Sequence, residues 1–173
     1  MDKFKEFIVK KELKTNEKLS RVFIGLCSVS LAAAIVLFTL GNTLQLFGLL
    51  AGALCIYGGW KLITRYFVEY EYILTNFDLD IDKIINQEKR KRLCTIDLHT
   101  ATEYGKVGED FSVGADETLV KATACNPGLD DYYLRFEHKS LGKAVLVYTP
   151  STEILEMINS CCPRKAKNLL EKN

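Results

Sequence analysis

Apolar and polar positions are sharply segregated along this chain. Residues 22–60 read VFIGLCSVSLAAAIVLFTLGNTLQLFGLLAGALCIYGGW, 39 positions without one charged side chain. A membrane-spanning helix needs about 20 predominantly apolar residues, so the run is nearly long enough for two. GNTLQ, at its middle, is its only cluster of turn-forming and polar residues. The pattern predicts a helix over 22–40, a tight turn over 41–45 and a second helix over 46–63. A single buried helix of a soluble protein would be unusually long and apolar on every side.

After residue 66 the period changes to short alternating runs broken by turn residues, the signature of half-buried strands. VEYEYILT (68–75), FDLDIDKIIN (77–86), RLCTIDL (92–98), ETLVKATAC (117–125), DYYLRFEH (131–138) and KAVLVYT (143–149) are the candidates. The third runs on irregularly through HTATEYG, and a short seventh strand fits 111–113 in an otherwise loop-like, acidic segment. A helix follows. Thr149 is its expected cap, Pro150 suits the first turn, and Ile154, Leu155, Met157 and Ile158 form one apolar stripe that ends at Pro163. The basic tail RKAKNLLEKN has room for a short extra helix.

The stretch FDLDIDKIINQE sets Asp78, Asp80 and Asp82 two residues apart, as a calcium-binding loop would. Such a loop needs glycine at position 6 and glutamate at position 12. Here those positions hold Lys83 and Lys89. A strand explains more. If 68–75 and 79–85 form a hairpin turning at Asn76 and Phe77, Leu74 faces Leu79 and Tyr72 faces Ile81 on one apolar face. Phe77 joins that face. The aspartates fall on the other, with Glu69 and Glu71, and Glu71 opposite Asp82 argues for a well-solvated outer surface.

Charge orients the chain. Residues 1–21 carry seven Lys/Arg against four acids, Lys61 and Arg65 follow the second helix, and the intervening turn is neutral. The positive-inside rule then places both termini in the cytoplasm of a two-helix, multi-pass cell-membrane protein. Tyr57, Trp60, Tyr66 and Phe67 fit an aromatic belt. The acidic residues of 1–21 and the length of the first helix argue against a cleaved signal. Phe4, Phe7 and Ile8, set among lysines, suit either an amphipathic segment in the membrane interface or a plain extension of the first helix.

A strand of eight residues leaving the membrane reaches about 26 Å, and its partner returns as far. This brings a turn holding Lys89, Arg90, Lys91 and Arg92 back toward the headgroups, where each cation is worth about 1 kcal/mol against an anionic leaflet. The turn either orients the domain as a solvated surface or forms a site for headgroups or an acidic partner. Nucleic acid is not expected, since residues 61–173 hold 16 basic and 18 acidic residues. Gly48 and Gly52 form a G-x-x-x-G in the second helix, and Ser28 and Ala32 match that spacing in the first. Such faces pack helices within a hairpin or between two copies of a chain.

Candidate chemistry is sparse. His99 and His138 lie in separate segments, and no nucleophile elbow, Walker loop, H-E-x-x-H or G-x-G-x-x-G occurs. No cofactor and no metal are called for. The six cysteines include no C-x-x-C, and those outside the helices would be reduced thiols in the cytosol, the adjacent Cys161 and Cys162 among them.

Two apolar helices running into Y-E-Y-I-L-T, then a strand, a basic turn, a strand ending I-D-L, and finally Y-T-P-S-T-E-I-L-E-M-I resemble bacterial two-transmembrane-helix proteins of unknown function with a membrane-proximal PH-like domain. The resemblance covers about residues 66–160. It implies a membrane α-helical hairpin plus an α+β cytosolic domain, a bent antiparallel sheet or barrel closed by a C-terminal helix. The organisation expected is a basic cytosolic segment (1–21), the hairpin (22–63), the PH-like domain (66–160) and a basic tail (161–173). Inositide-binding PH domains generally carry a basic first hairpin turn; Leu74, Thr75, Asn76 and Phe77 supply none. The expected function is a membrane-anchored, non-enzymatic module for protein or membrane-surface interaction. Its partners are the bilayer, anionic headgroups, an unidentified protein, or a second copy through the second helix. The alternative is an accessory subunit of a membrane transporter or channel complex.

Overall fold

The structure, a computed structural model, describes residues 4–109, 111–163 and 167–168. The chain forms two compact units, Leu13–Phe67 and Met1–Glu12 together with Val68–Asn173. In chain order the elements are β1 (Phe4–Lys10), α1 (Thr15–Thr39), α2 (Gln45–Thr64), β2 (Val68–Thr75), β3 (Asp78–Ile85), β4 (Lys89–Asp97), β5 (Ala101–Lys106), β6 (Thr118–Ala122), β7 (Tyr132–His138), β8 (Gly142–Tyr148), α3 (Thr152–Cys161) and β9 (Lys167–Asn168). One short 3-10 turn, Leu98–Thr100, joins β4 to β5.

The helical unit is an α1–α2 hairpin, and both helices are long and apolar enough to cross a membrane. Their large side chains point outward: Phe38 is 85% exposed and Leu46 74%. Helix α1 begins at Thr15, well before the apolar run. Good helix formers precede that run, and the Glu17 carboxylate accepts the Lys14 backbone N–H at 3.0 Å, satisfying one of the donors a helix start leaves open. Apolarity marks the part of a helix suited to lipid, not where its first turn forms. The hairpin turns at Gly41, whose φ of +79° lies where glycine alone is unstrained.

The second unit holds two sheets. Sheet one is antiparallel, in the order β1-β2-β3-β4. Sheet two runs β6-β8-β7-β5-β9, with β6 parallel to β8 and β9 parallel to β5. The domain is therefore not the all-antiparallel set predicted, nor do its strands form one closed barrel. Residues 111–113 are irregular, and the Phe111 ring packs on Tyr133 at 4.8 Å. Of the tail only Lys167 and Asn168 are described, as strand β9; the extra helix predicted there otherwise lies outside the described residues.

The predicted β2–β3 register is the one found, with Tyr72 opposite Ile81 and Leu74 opposite Leu79. These four side chains are fully buried and meet Leu134, Phe136, Leu146 and Tyr148 of sheet two, with Ile154 and Ile158 of α3. Tyr72 ties the layers together. Its hydroxyl donates to Ala122 O at 2.5 Å and accepts from Thr149 N at 3.2 Å, and its ring meets Tyr148 edge-on at 5.8 Å. Phe77 is not part of the core. It sits in the turn, 45% exposed and packed on His99 at 4.3 Å, because Asn76 takes the left-handed conformation (φ 57°) that closes the hairpin. Thr149 does not cap α3. It is buried, accepting from Ala124 N and donating to Asp131, and Ser151 caps the helix instead.

The largest departure is at the N-terminal end. Residues 4–10 form neither an interfacial helix nor an extension of α1 but an edge strand of sheet one, paired with β2 along the whole of β1. Val9 is buried, Phe7 stacks on Tyr72 at 6.2 Å, and Asn126 clasps the strand's exit through Lys10 O and Glu12 N. Phe4-x-Glu6-x-Ile8 and Lys5-x-Phe7-x-Val9 alternate with period 2; lysines on both faces disguise the pattern. The helical hairpin is thus inserted between two neighbouring strands of one sheet.

Candidate functional site

The four consecutive cations do not form a turn. Lys89, Arg90, Lys91 and Arg92 open strand β4, and the turn before them is made by Asn86 and Gln87, both in left-handed conformation. Strand geometry sends alternate side chains to opposite faces, so the four divide into two pairs. A register shift at Ile81/Asp82 decides which pair goes where. Ile81 lies opposite Cys94 and Asp82 opposite Arg92, so β4 carries one extra residue, Leu93, at a bulge. Without it, Lys89 and Lys91 would lie over the acids. With it, Arg90 and Arg92 do.

The outer face is therefore an ion-pair network rather than a solvated row of acids. Arg92 Nε donates to Asp82 Oδ1 at 2.7 Å, and its Nη1 lies 2.8 Å from Asp80 Oδ2. Arg90 Nη2 sits 2.9 and 2.8 Å from the two oxygens of Glu71, with Nη1 3.9 Å from Asp82. Thr95 donates to Asp80 at 2.6 Å. Glu71 and Asp82, directly opposite each other, are only 1% exposed. Burial, offset by Arg90 and reinforced by the neighbouring carboxyls of Glu6 and Asp82, holds the Glu71 carboxyl above its ordinary range. Arginine suits this place because its planar, weakly hydrated fork can serve two buried carboxylates at once.

On the inner face the apolar rows of β3 and β4 continue past Ile81 and Cys94 into lysines. Lys83 is paired directly with Lys91, and Lys89 lies opposite Ile85. Lys89 and Lys91 are exposed and Lys83 half-buried. None of the three has an ion-pair partner among the described residues. Sequence reasoning missed the place of Lys83 beside Lys91, because it follows from cross-strand register. Val68 pairs with Ile85, and β1 ends at Lys10 opposite Glu69. The lysines thus stand at the end of sheet one where the chain leaves for α1 and returns from α2.

Gly48 and Gly52 are buried against α1. A methyl group at Gly48 would overlap the Thr39 side chain, and one at Gly52 would approach Val36 Cγ2 to 3.1 Å and Ala32 O to 3.4 Å. Gly59 is likewise closed off by Ser28. These contacts lie within the hairpin.

The histidines, and the cysteines that follow the hairpin, are built into structure. His99 Nδ1 lies 2.7 Å from Asp97, and His138 Nδ1 accepts backbone N–H groups of Ser140 and Leu141 in a turn. Burial pushes the Cys94 and Cys162 thiols up to about 12, away from the reactive thiolate. Cys161 is buried, its thiol directed at Asn76 O. A shallow, open depression of about 390 Å³ beside α3 is lined by Lys5, Glu153, Glu156, Met157 and Ser160 and brings no histidine or cysteine to its wall.

Comparison with curated proteins finds no match, and comparison with solved structures finds none either. Residues 1–168 match the family described as Bacterial PH-like domain (DUF6106). That span takes in β1 and the helical hairpin as well as the later strands. PH-like domain families are generally non-catalytic. The chain belongs to this bacterial PH-like domain family of unknown function, whose unit here includes the two apolar helices inserted after its first strand.

Proposed function

We propose that this protein is a membrane-anchored, non-enzymatic module whose PH-like domain is held against a bilayer to make contacts at its surface. One observation carries the proposal: the two apolar helices interrupt a single sheet between adjacent strands β1 and β2. Four residues (11–14) link β1 to α1 and three (65–67) link α2 to β2, so connectivity tethers one end of sheet one at two points. That end carries the three lysines that lack an ion-pair partner among the described residues. Positive-inside reasoning, with Lys10, Lys11 and Lys14 before α1, Lys18 and Arg21 within its first two turns, and Lys61 and Arg65 at the end of α2, puts this end and both termini in the cytoplasm. Trp60 packs near Tyr57 and under Lys61, an arrangement suited to a membrane interface.

The test is extraction of native membranes with alkaline carbonate. The protein is expected to stay in the pellet; release into the supernatant would end the anchored reading. A role as accessory subunit of a transporter or channel uses the same helices. Their small-residue faces are occupied within the hairpin, so a partner helix would have to dock on large side chains such as Phe38 and Leu46. A stoichiometric integral-membrane protein recovered in mild detergent would favour that reading.

A further inference from the structure

We propose that Lys83, Lys89 and Lys91 form a binding face for the phosphates of anionic lipid headgroups, and that Arg90 and Arg92, in the same sequence cluster, take no part in it. This rests on the membrane-anchored reading above. The bulge at Leu93 sorts the cluster: it sends both arginines to the outer face, where Glu71, Asp80 and Asp82 neutralise them, and both lysines to the inner face. There Lys91 meets Lys83 directly across the strands. Like charges placed opposite each other destabilise a sheet pair, and no acid among the described residues relieves this one. A fold that supplies three carboxylates to two arginines on one face and, among the described residues, none to three lysines on the other leaves a concentrated positive surface.

The chemistry favours lipid. Lysine presents a compact, strongly hydrated charge on a flexible stem and lacks the planar fork of arginine. It suits a crowded, mobile array of phosphates better than one rigid ligand. Val68 and Ile85, half-buried, lie beside the lysines on the inner face at this end of the sheet. At the increment known for basic residues at an anionic leaflet, three lysines correspond to roughly a hundredfold preference for anionic over neutral lipid. Double-stranded nucleic acid is disfavoured by the net negative balance of residues 61–173.

The full-length protein, reconstituted in nanodiscs of phosphatidylcholine with or without phosphatidylglycerol, provides the test through lysine modification by an amine-reactive reagent read by peptide mass spectrometry. Lys83, Lys89 and Lys91 are expected to react about fivefold or more slowly in the anionic discs, with protection lost at high salt. Lys121 and Lys143, exposed on β6 and β8, serve as controls and should not change. Arg92→Gln should leave the protection intact. Equal rates in both lipids, with the protein still inserted, overturn the lysine face and leave the anchor standing. Failure of the protein to stay in the discs overturns the anchored reading as well. Protection by millimolar inorganic phosphate in neutral discs would assign the site to a soluble anion and overturn the lipid assignment.

Discussion

Glu71 and Asp82 face each other in the middle of a sheet, 1% exposed, with Glu6 close by. Two carboxylates in such a place persist because Arg92 reaches from β4 to Asp82 on β3 and Arg90 reaches across β3 to Glu71 on β2. Replacing one arginine leaves a buried charge short of a partner. Because both guanidinium groups are about half exposed, the cost falls below that of a fully buried pair: Arg92→Gln should lose about 1–3 kcal/mol in unfolding of the detergent-solubilised protein. The Glu71 carboxyl is raised above 4.5, chiefly by burial. Its contribution to stability is therefore complete below that pH and is lost as pH rises through the raised value. Glu71→Gln should gain stability relative to the parent as pH rises from 4 to 7; an unchanged difference across that range would show that Glu71 ionises normally.

At the scale of elements, long apolar runs and clean alternation were legible in the sequence. The hairpin of α1 and α2 and the register of β2 on β3 follow from patterns that a single face enforces. Strand β1 did not show itself, because its lysines lie on both faces and its partner is separated from it by the helices. The division of Lys89, Arg90, Lys91 and Arg92 was also hidden. One extra residue in β4 reverses every assignment, and no local signal at Leu93 announces a bulge. The aspartates looked solvent-facing for the same reason: the arginines that cover them belong to another strand. The glycines of α2 were legible as a small face, and their neighbours on α1 follow from packing. Gly48→Leu should cost about 1–3 kcal/mol by overpacking against Thr39. Gly58→Leu, in open space, should leave the thermal midpoint unchanged. Equal effects of the two would mean that the helices do not pack as described.

For the whole molecule, one topological fact dominates. Strand β1 lies before α1 and β2 after α2, yet the two are hydrogen-bonded along their length. If the helices span a membrane, they must cross it as a pair, since a single crossing would place β1 and β2 on opposite sides. Only the turn near Gly41–Gln45 then reaches the far side. The PH-like domain is joined to the helical hairpin at two points and completed by a strand that precedes it, so the hairpin is an insertion within the domain's sequence. The most direct test is labelling of intact cells with a membrane-impermeant maleimide. A cysteine introduced by Asn42→Cys should be labelled from outside. Lys5→Cys and Lys139→Cys, on β1 and in the β7–β8 turn, should be labelled only after permeabilisation, and the parent protein not at all in intact cells. Labelling of Lys5→Cys from outside, or failure of Asn42→Cys to label while Lys139→Cys labels only after permeabilisation, would contradict the paired crossing on which the account rests.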